Sequence, residues 1–114
     1  MRLDAQTKAE AERLADEISH VARRGLALPG TLIERRTRCG RTGCKCGGDP
    51  PVPHGPYWSW TRKVDGKTQT RYLSDDQRAD YEEWFDTAKQ LRALVAALEA
   101  LGLQVAEADP RFGR

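Results

Sequence analysis

The chain has 114 residues, of which 39% are hydrophobic and 32% are charged, and its formal net charge is +2. This length predicts one domain with a small core that needs help from a metal or a partner subunit. The odd cysteine count of 3 argues against a secreted disulfide framework, and neither a membrane span nor a signal peptide is recognisable. We therefore expect a soluble, cytoplasmic protein.

Charge is distributed unevenly along the sequence. Residues 34–73 carry nine basic and three acidic side chains, whereas residues 1–33 carry five of each. Residues 74–114 carry five basic and nine acidic side chains. The middle of the chain is thus predicted to be a basic module between a neutral and an acidic segment.

Residues 1–30 are predicted to form an N-terminal helix and a connector. Within residues 3–24, Leu14, Ile18 and Val21 repeat at the spacing of one apolar helical stripe. Asp4 is the candidate N-cap. A short strand is expected over residues 31–38.

The segment from Cys39 to His54 has the spacing Cys-x4-Cys-x-Cys-x7-His. Three thiols and one imidazole form a complete tetrahedral ligand set for Zn²⁺, and interspersed glycines allow the sharp turns that this set requires. We predict a zinc knuckle with the ligands Cys39, Cys44, Cys46 and His54. His20 is the alternative fourth ligand, packing or redox thiols are the alternative to a metal site, and an iron–sulfur cluster is disfavoured because a fourth thiol is absent.

A β-hairpin is predicted after the knuckle. Asp65-Gly66 separates two β-prone runs, which is typical of a two-residue type I′ turn. This turn would pair Trp60 with Arg71 and Trp58 with Leu73 on one face, with a cation–π contact in the first pair. Residues 31–73 therefore form the predicted module of knuckle and hairpin.

Residues 74–102 are predicted to form one long helix, and residues 103–114 a flexible tail. Ser74 and Gln77 make a capping box, and Gly102 is the expected end of the helix. A long apolar stripe gives the helix coiled-coil character, so we expect a homodimer through the helices. The predicted fold class is α+β: N-terminal helix, short strand, knuckle, hairpin and long C-terminal helix.

The basic module suggests nucleic-acid binding. Two-stranded ribbons fit the DNA major groove, and basic side chains attract phosphates. The predicted contact residues are Arg36, Arg38, Arg41, Lys45, Tyr57, Trp60, Arg62, Lys63, Lys67 and Arg71. DNA is the favoured partner and RNA is an alternative. A basic surface that is solvated and binds no nucleic acid is the remaining possibility.

Catalysis is not expected, because a Cys3His site leaves no open coordination position and no nucleophile has an evident base partner. The main rival to nucleic-acid binding is a non-enzymatic adaptor that docks a larger protein through its helices.

A family resemblance rests on the pattern Cys-Gly-x-x-Gly-Cys-x-Cys at Cys39–Cys46, followed by His54-Gly55-Pro56-Tyr57. This pattern, ahead of a long charged helix, resembles a small uncharacterised bacterial family over about residues 31–100. Members of that family are often encoded near transposases, which implies a regulator or accessory factor of a mobile element or phage. The order of strand, hairpin and helix also looks like the three-stranded DNA-binding domains of tyrosine integrases, an analogy of fold alone.

Overall fold

The computed structural model describes residues 3–113 and has an α+β fold. Its elements are α1 (Ala5–Ala22), β1 (Thr31–Thr37), β2 (His54–Val64), β3 (Lys67–Leu73) and α2 (Asp75–Glu107). The strands form one antiparallel sheet in the order β1-β2-β3. The predicted fold class is confirmed.

The chain divides into two compact units. The sheet unit spans Leu28–Phe85. The helical unit combines the chain up to Ala27 with the chain from Asp86 onward. None of the helices in the described part of the chain combines the length and the hydrophobicity that crossing a membrane requires.

In the helical unit, α1 is capped as the sequence predicts. The carboxylate of Asp4 accepts a hydrogen bond from the backbone N–H of Thr7 at 2.7 Å. Leu14 and Val21, both on the predicted apolar stripe, are buried. The Arg24 guanidinium donates to Oε1 of Gln90 at 3.1 Å. Homodimerisation and a coiled coil stay predictions.

Helix α2 begins at the predicted capping box. The backbone N–H of Gln77 donates to the Ser74 hydroxyl at 3.1 Å, and the backbone N–H of Ser74 donates to the Gln77 amide oxygen at 3.0 Å. Each side chain thus satisfies a backbone donor that the first helical turn leaves free.

The predicted end of α2 is wrong, because the helix continues through Gly102 to Glu107. One glycine costs a helix only about 1 kcal/mol relative to alanine. The residues that follow, Leu103 and Gln104, are good helix formers and carry the helix on. Residues 103–107 therefore belong to α2 and not to a flexible tail.

The hairpin has the predicted register. Trp58 lies opposite Leu73, and Trp60 lies opposite Arg71. Asp65 and Gly66 have φ values of 52° and 80°, the left-handed conformation that a type I′ turn requires at both central positions. Because side chains alternate along a strand, this register decides which residues share a face.

One face of the sheet, here called the covered face, packs against the beginning of α2. The rings of Trp60 and Phe85 meet edge to face with centroids 5.9 Å apart. The Arg78 guanidinium lies over the Trp58 ring at 4.7 Å. These contacts hold the first three turns of α2 on the sheet.

The expected cation–π pair between Arg71 and Trp60 is replaced by another. Arg62 lies over the Trp60 ring at 5.4 Å. Arg62 is two residues further along the same strand, so its side chain is on the same face as the ring. The Trp60 indole N–H donates to the carbonyl of Pro29 at 2.9 Å, which fixes the ring against the connector.

We expect Ser74→Ala to lower the free energy of unfolding by about 1 kcal/mol, because the change removes the N-cap of α2. The matched control is Ser19→Ala, the same change at an exposed position inside α1. Urea denaturation followed by circular dichroism measures both. Equal stability of the two variants would contradict the capping role.

Candidate metal centre

The knuckle is a compact loop between β1 and β2. Gly40 and Gly43 have φ values of 72° and 80°, which side chains rarely tolerate, so glycine is needed at these two turns. A short 3-10 turn follows at Lys45–Gly47, where the Gly47 N–H donates to the Cys44 carbonyl at 3.1 Å. The Val52 N–H then donates to the Lys45 carbonyl at 2.9 Å and directs the chain back towards His54.

The sheet brings the two ends of the loop together. Thr37, the last residue of β1, pairs with His54, the first residue of β2, after a register shift that begins at Arg35. Cys39 follows two residues after this pair. The strand pairing therefore places the first cysteine and the histidine at the same end of the sheet.

The four predicted ligands form one cluster. One ligand atom from each of Cys39, Cys44, Cys46 and His54 lies within 4.8 Å of all the others. The sulfurs of Cys39 and Cys46 are 3.5 Å apart, and the Cys44 sulfur is 3.1 Å from Nε2 of His54. Ligand atoms of a tetrahedral zinc site lie roughly 3.5 to 3.8 Å apart, given metal–ligand distances of 2.0 to 2.3 Å. This group is therefore able to hold a metal ion.

The environment of the sulfurs favours metal binding. The backbone N–H of Cys39 donates to the Cys46 sulfur at 3.3 Å. This bond, followed by hydrogen bonds with the thiols of Cys44 and Cys39, lowers the pKa of the Cys46 thiol to about 6. A lowered pKa favours the thiolate, the form that binds metals.

The neighbouring thiol shifts in the opposite direction. The Cys46 backbone N–H lowers the pKa of the Cys44 thiol, but hydrogen bonds with the thiols of Cys39 and Cys46 outweigh it, so that the pKa is raised overall. Crowded sulfurs resist sharing several negative charges, and a bound cation relieves that repulsion.

Burial differs among the cysteines of the cluster. Cys46 has 1% of its surface exposed, whereas Cys44 is half-buried and Cys39 is exposed. Among residues 3–113, five apolar residues are buried, and in the sheet unit these are Cys46 and Phe85. With so few buried apolar side chains, the sheet unit is of the kind that a bound metal commonly stabilises.

The predicted nucleic-acid contacts near the knuckle are all exposed. Arg36 pairs with Glu34 at 3.2 Å. The other three side chains, each exposed, are Arg38, Arg41 and Lys45. They flank the cysteines and give the knuckle a positively charged surface.

The hairpin residues of the same prediction are divided between the two faces of the sheet. Those on the covered face are Trp60, Arg62, Lys67 and Arg71. Tyr57 and Lys63 lie on the opposite face, here called the open face. One flat ligand is therefore unable to contact all six, and Trp60 already packs against Phe85.

The sequence also indicated Tyr72 and Arg35 as part of the basic, aromatic module, and both are exposed on the open face. Tyr72 is opposite Ser59, and Arg35 is opposite Tyr57. Their common face follows from the Asp65-Gly66 turn and the alternation along each strand. The sequence does not show which of the two faces α2 covers, and so it does not show which side chains stay accessible to a ligand.

A family model titled "Domain of unknown function (DUF6788)" matches residues 3–83. The chain belongs to this family. The DUF6788 match includes α1, all three strands and the complete knuckle. No curated protein and no solved structure matches the chain significantly. Membership in DUF6788 therefore gives a family relationship but no activity, because the function of that family is unknown.

The choice of fourth ligand is testable with the two histidines. We expect His54→Ala to weaken zinc affinity by more than about 100-fold, beyond the loss seen when an outer-shell partner is removed. His20→Ala is the matched control, because His20 is exposed on α1. Competition with a chromophoric chelator measures both affinities, and a loss confined to His20→Ala would contradict the assignment.

Proposed function

We propose that the protein is a zinc-stabilised DNA-binding protein without catalytic activity. The single observation that carries this proposal is the Cys3His cluster set among exposed cations at one end of a small sheet. Each part of the proposal follows from the chemistry of that arrangement.

Zinc is the metal that best suits these ligands. Three sulfurs and one imidazole nitrogen are a soft, four-coordinate set, which is typical of structural zinc sites. Four protein ligands complete the shell and leave no position for a substrate or an activated water. The metal therefore supplies folding energy rather than chemistry.

DNA is the partner that the charges favour. Residues 34–73 carry six more basic than acidic side chains, nine against three. The exposed cations Arg38, Arg41 and Lys45 occupy the knuckle, where phosphates are accessible to them. The resemblance described above suggests the setting, a regulator or accessory factor of a mobile element or phage.

The structural role of zinc predicts the effect of Cys44→Ser. Losing one ligand removes most of the metal's contribution to folding, so the sheet unit should unfold. Near-ultraviolet circular dichroism of Trp58 and Trp60 should lose its signal, as should wild-type protein treated with a chelator. Thr42→Ser, an exposed change in the same loop, is the control. A Cys44→Ser protein as stable as the wild type would contradict the zinc proposal.

Binding of DNA is tested by a salt titration. On random-sequence duplex DNA, the wild-type affinity should fall linearly with salt on logarithmic axes. Combined replacement of Arg38, Arg41 and Lys45 by alanine should reduce that slope by about 0.9 for each phosphate that the variant no longer neutralises. Arg23→Ala with Arg92→Ala removes exposed cations from the helices and is the control.

Fluorescence anisotropy with labelled DNA measures these affinities. An unchanged slope in the triple variant would move the binding surface away from the knuckle. Absence of any DNA binding by zinc-loaded protein would contradict the proposal and favour an adaptor that docks a protein through its helices. Tighter binding to RNA of the same sequence would contradict the choice of DNA.

A further inference from the structure

The open face of the sheet presents two aromatic rings to solvent. Tyr57 is 47% exposed and Tyr72 is 73% exposed. The covered face, by contrast, uses its aromatic side chains for packing, as the contact of Trp60 with Phe85 shows. Packing of this kind does not explain the two exposed tyrosines on the open face.

The register makes the two tyrosines neighbours. Tyr72 lies opposite Ser59, and Tyr57 is two residues before Ser59 on the same face. Diagonal neighbours of this kind are roughly 7 to 8 Å apart, within reach of one another's rings. Ser59 itself is 1% exposed, and its hydroxyl has no hydrogen-bond partner among the described residues. Ser59 is therefore the small residue between the two tyrosines in the register.

The open face is also positively charged. Arg35 lies opposite Tyr57, and Lys63 lies further along β2. The remaining side chains on this face are uncharged: Thr31, Ile33, Thr37, Ser59, Thr61, Thr68 and Thr70. None of the ion pairs in the described part of the chain involves Arg35 or Lys63. This face of the described sheet carries no carboxylate that would repel an anionic ligand.

A cleft of about 380 Å³ lies at this position. Its lining is Arg35, Thr37, Tyr57 and Tyr72 of the open face, together with Trp58 and Leu73, which the register places on the covered face. It thus combines two exposed aromatic rings with one guanidinium. Aromatic rings stack on bases, and guanidinium groups bind phosphates or stack on the same rings.

We propose that the open face binds unpaired nucleotides of single-stranded DNA, with bases stacked on Tyr57 and Tyr72 and a phosphate held by Arg35. Bases in a duplex have their faces covered by their neighbours, so only a single strand offers them to the tyrosines. The site deepens the DNA-binding function proposed above and rests on it. It adds a preference for unpaired strands that the charges alone do not supply.

The test compares oligothymidine of about ten nucleotides, within the usual site size, with a duplex of the same length. Zinc-loaded wild-type protein should bind the single strand more tightly. Tyr57→Ala and Tyr72→Ala should each weaken single-strand binding by roughly 5- to 150-fold, and Tyr72→Ala should leave duplex binding unchanged. Tyr57→Phe and Tyr72→Phe keep the ring and should retain the affinity.

Phe112→Ala removes an equally exposed ring from the helical unit and is the matched control. We expect each variant to fold, because both tyrosines are exposed and their truncation removes little packing. Far-ultraviolet circular dichroism checks this. Equal affinity for both DNA forms, or alanine variants that bind the single strand normally, would overturn this site while DNA binding itself stands. Protein that binds neither form would overturn the DNA-binding proposal as well.

Discussion

Convergence of three sulfurs and one imidazole nitrogen at the end of the sheet is the constraint on which the rest of the sheet unit depends. The unit buries few apolar side chains, and Cys46 is the most fully buried of those in its described residues. Because Cys39 follows β1 and His54 begins β2, the same cluster also joins the two strands. Strand pairing brings the four side chains together, and a metal ion bound by them would in turn hold the ends of the two strands together.

The Asp65-Gly66 turn is the second determinant, because it fixes what each face of the sheet carries. A shift of one residue would exchange every side chain between the two faces. With the observed register, Trp58 and Trp60 face α2, and Tyr57 and Tyr72 face solvent. The chemistry available to a ligand therefore depends on a two-residue turn as much as on the cations.

Local signals in the sequence were sufficient for most of the fold. The Asp4 cap, the Ser74–Gln77 capping box and the hairpin register each depend on residues close together in the chain. The Cys3His cluster was recognisable because metal binding restricts both residue type and spacing. The contact of Trp60 with Phe85 and the choice of the covered face were not recognisable in the sequence, because both depend on where α2 packs. The continuation of α2 past Gly102 was not predicted. A glycine costs a helix only about 1 kcal/mol relative to alanine, and the good helix formers that follow it offset this cost.

The order β1-β2-β3 leaves both outer strands with one unpaired edge in the described sheet. Such edges are templates for pairing with another copy of a chain, and charged side chains are a common protection against it. Here β1 carries Arg35 and Arg36, and β3 carries Lys67 and Arg71, all exposed. These cations therefore oppose edge-to-edge aggregation whether or not an anion is bound. The same positive charges that protect the edges are the ones to which the proposed binding of phosphates would be due.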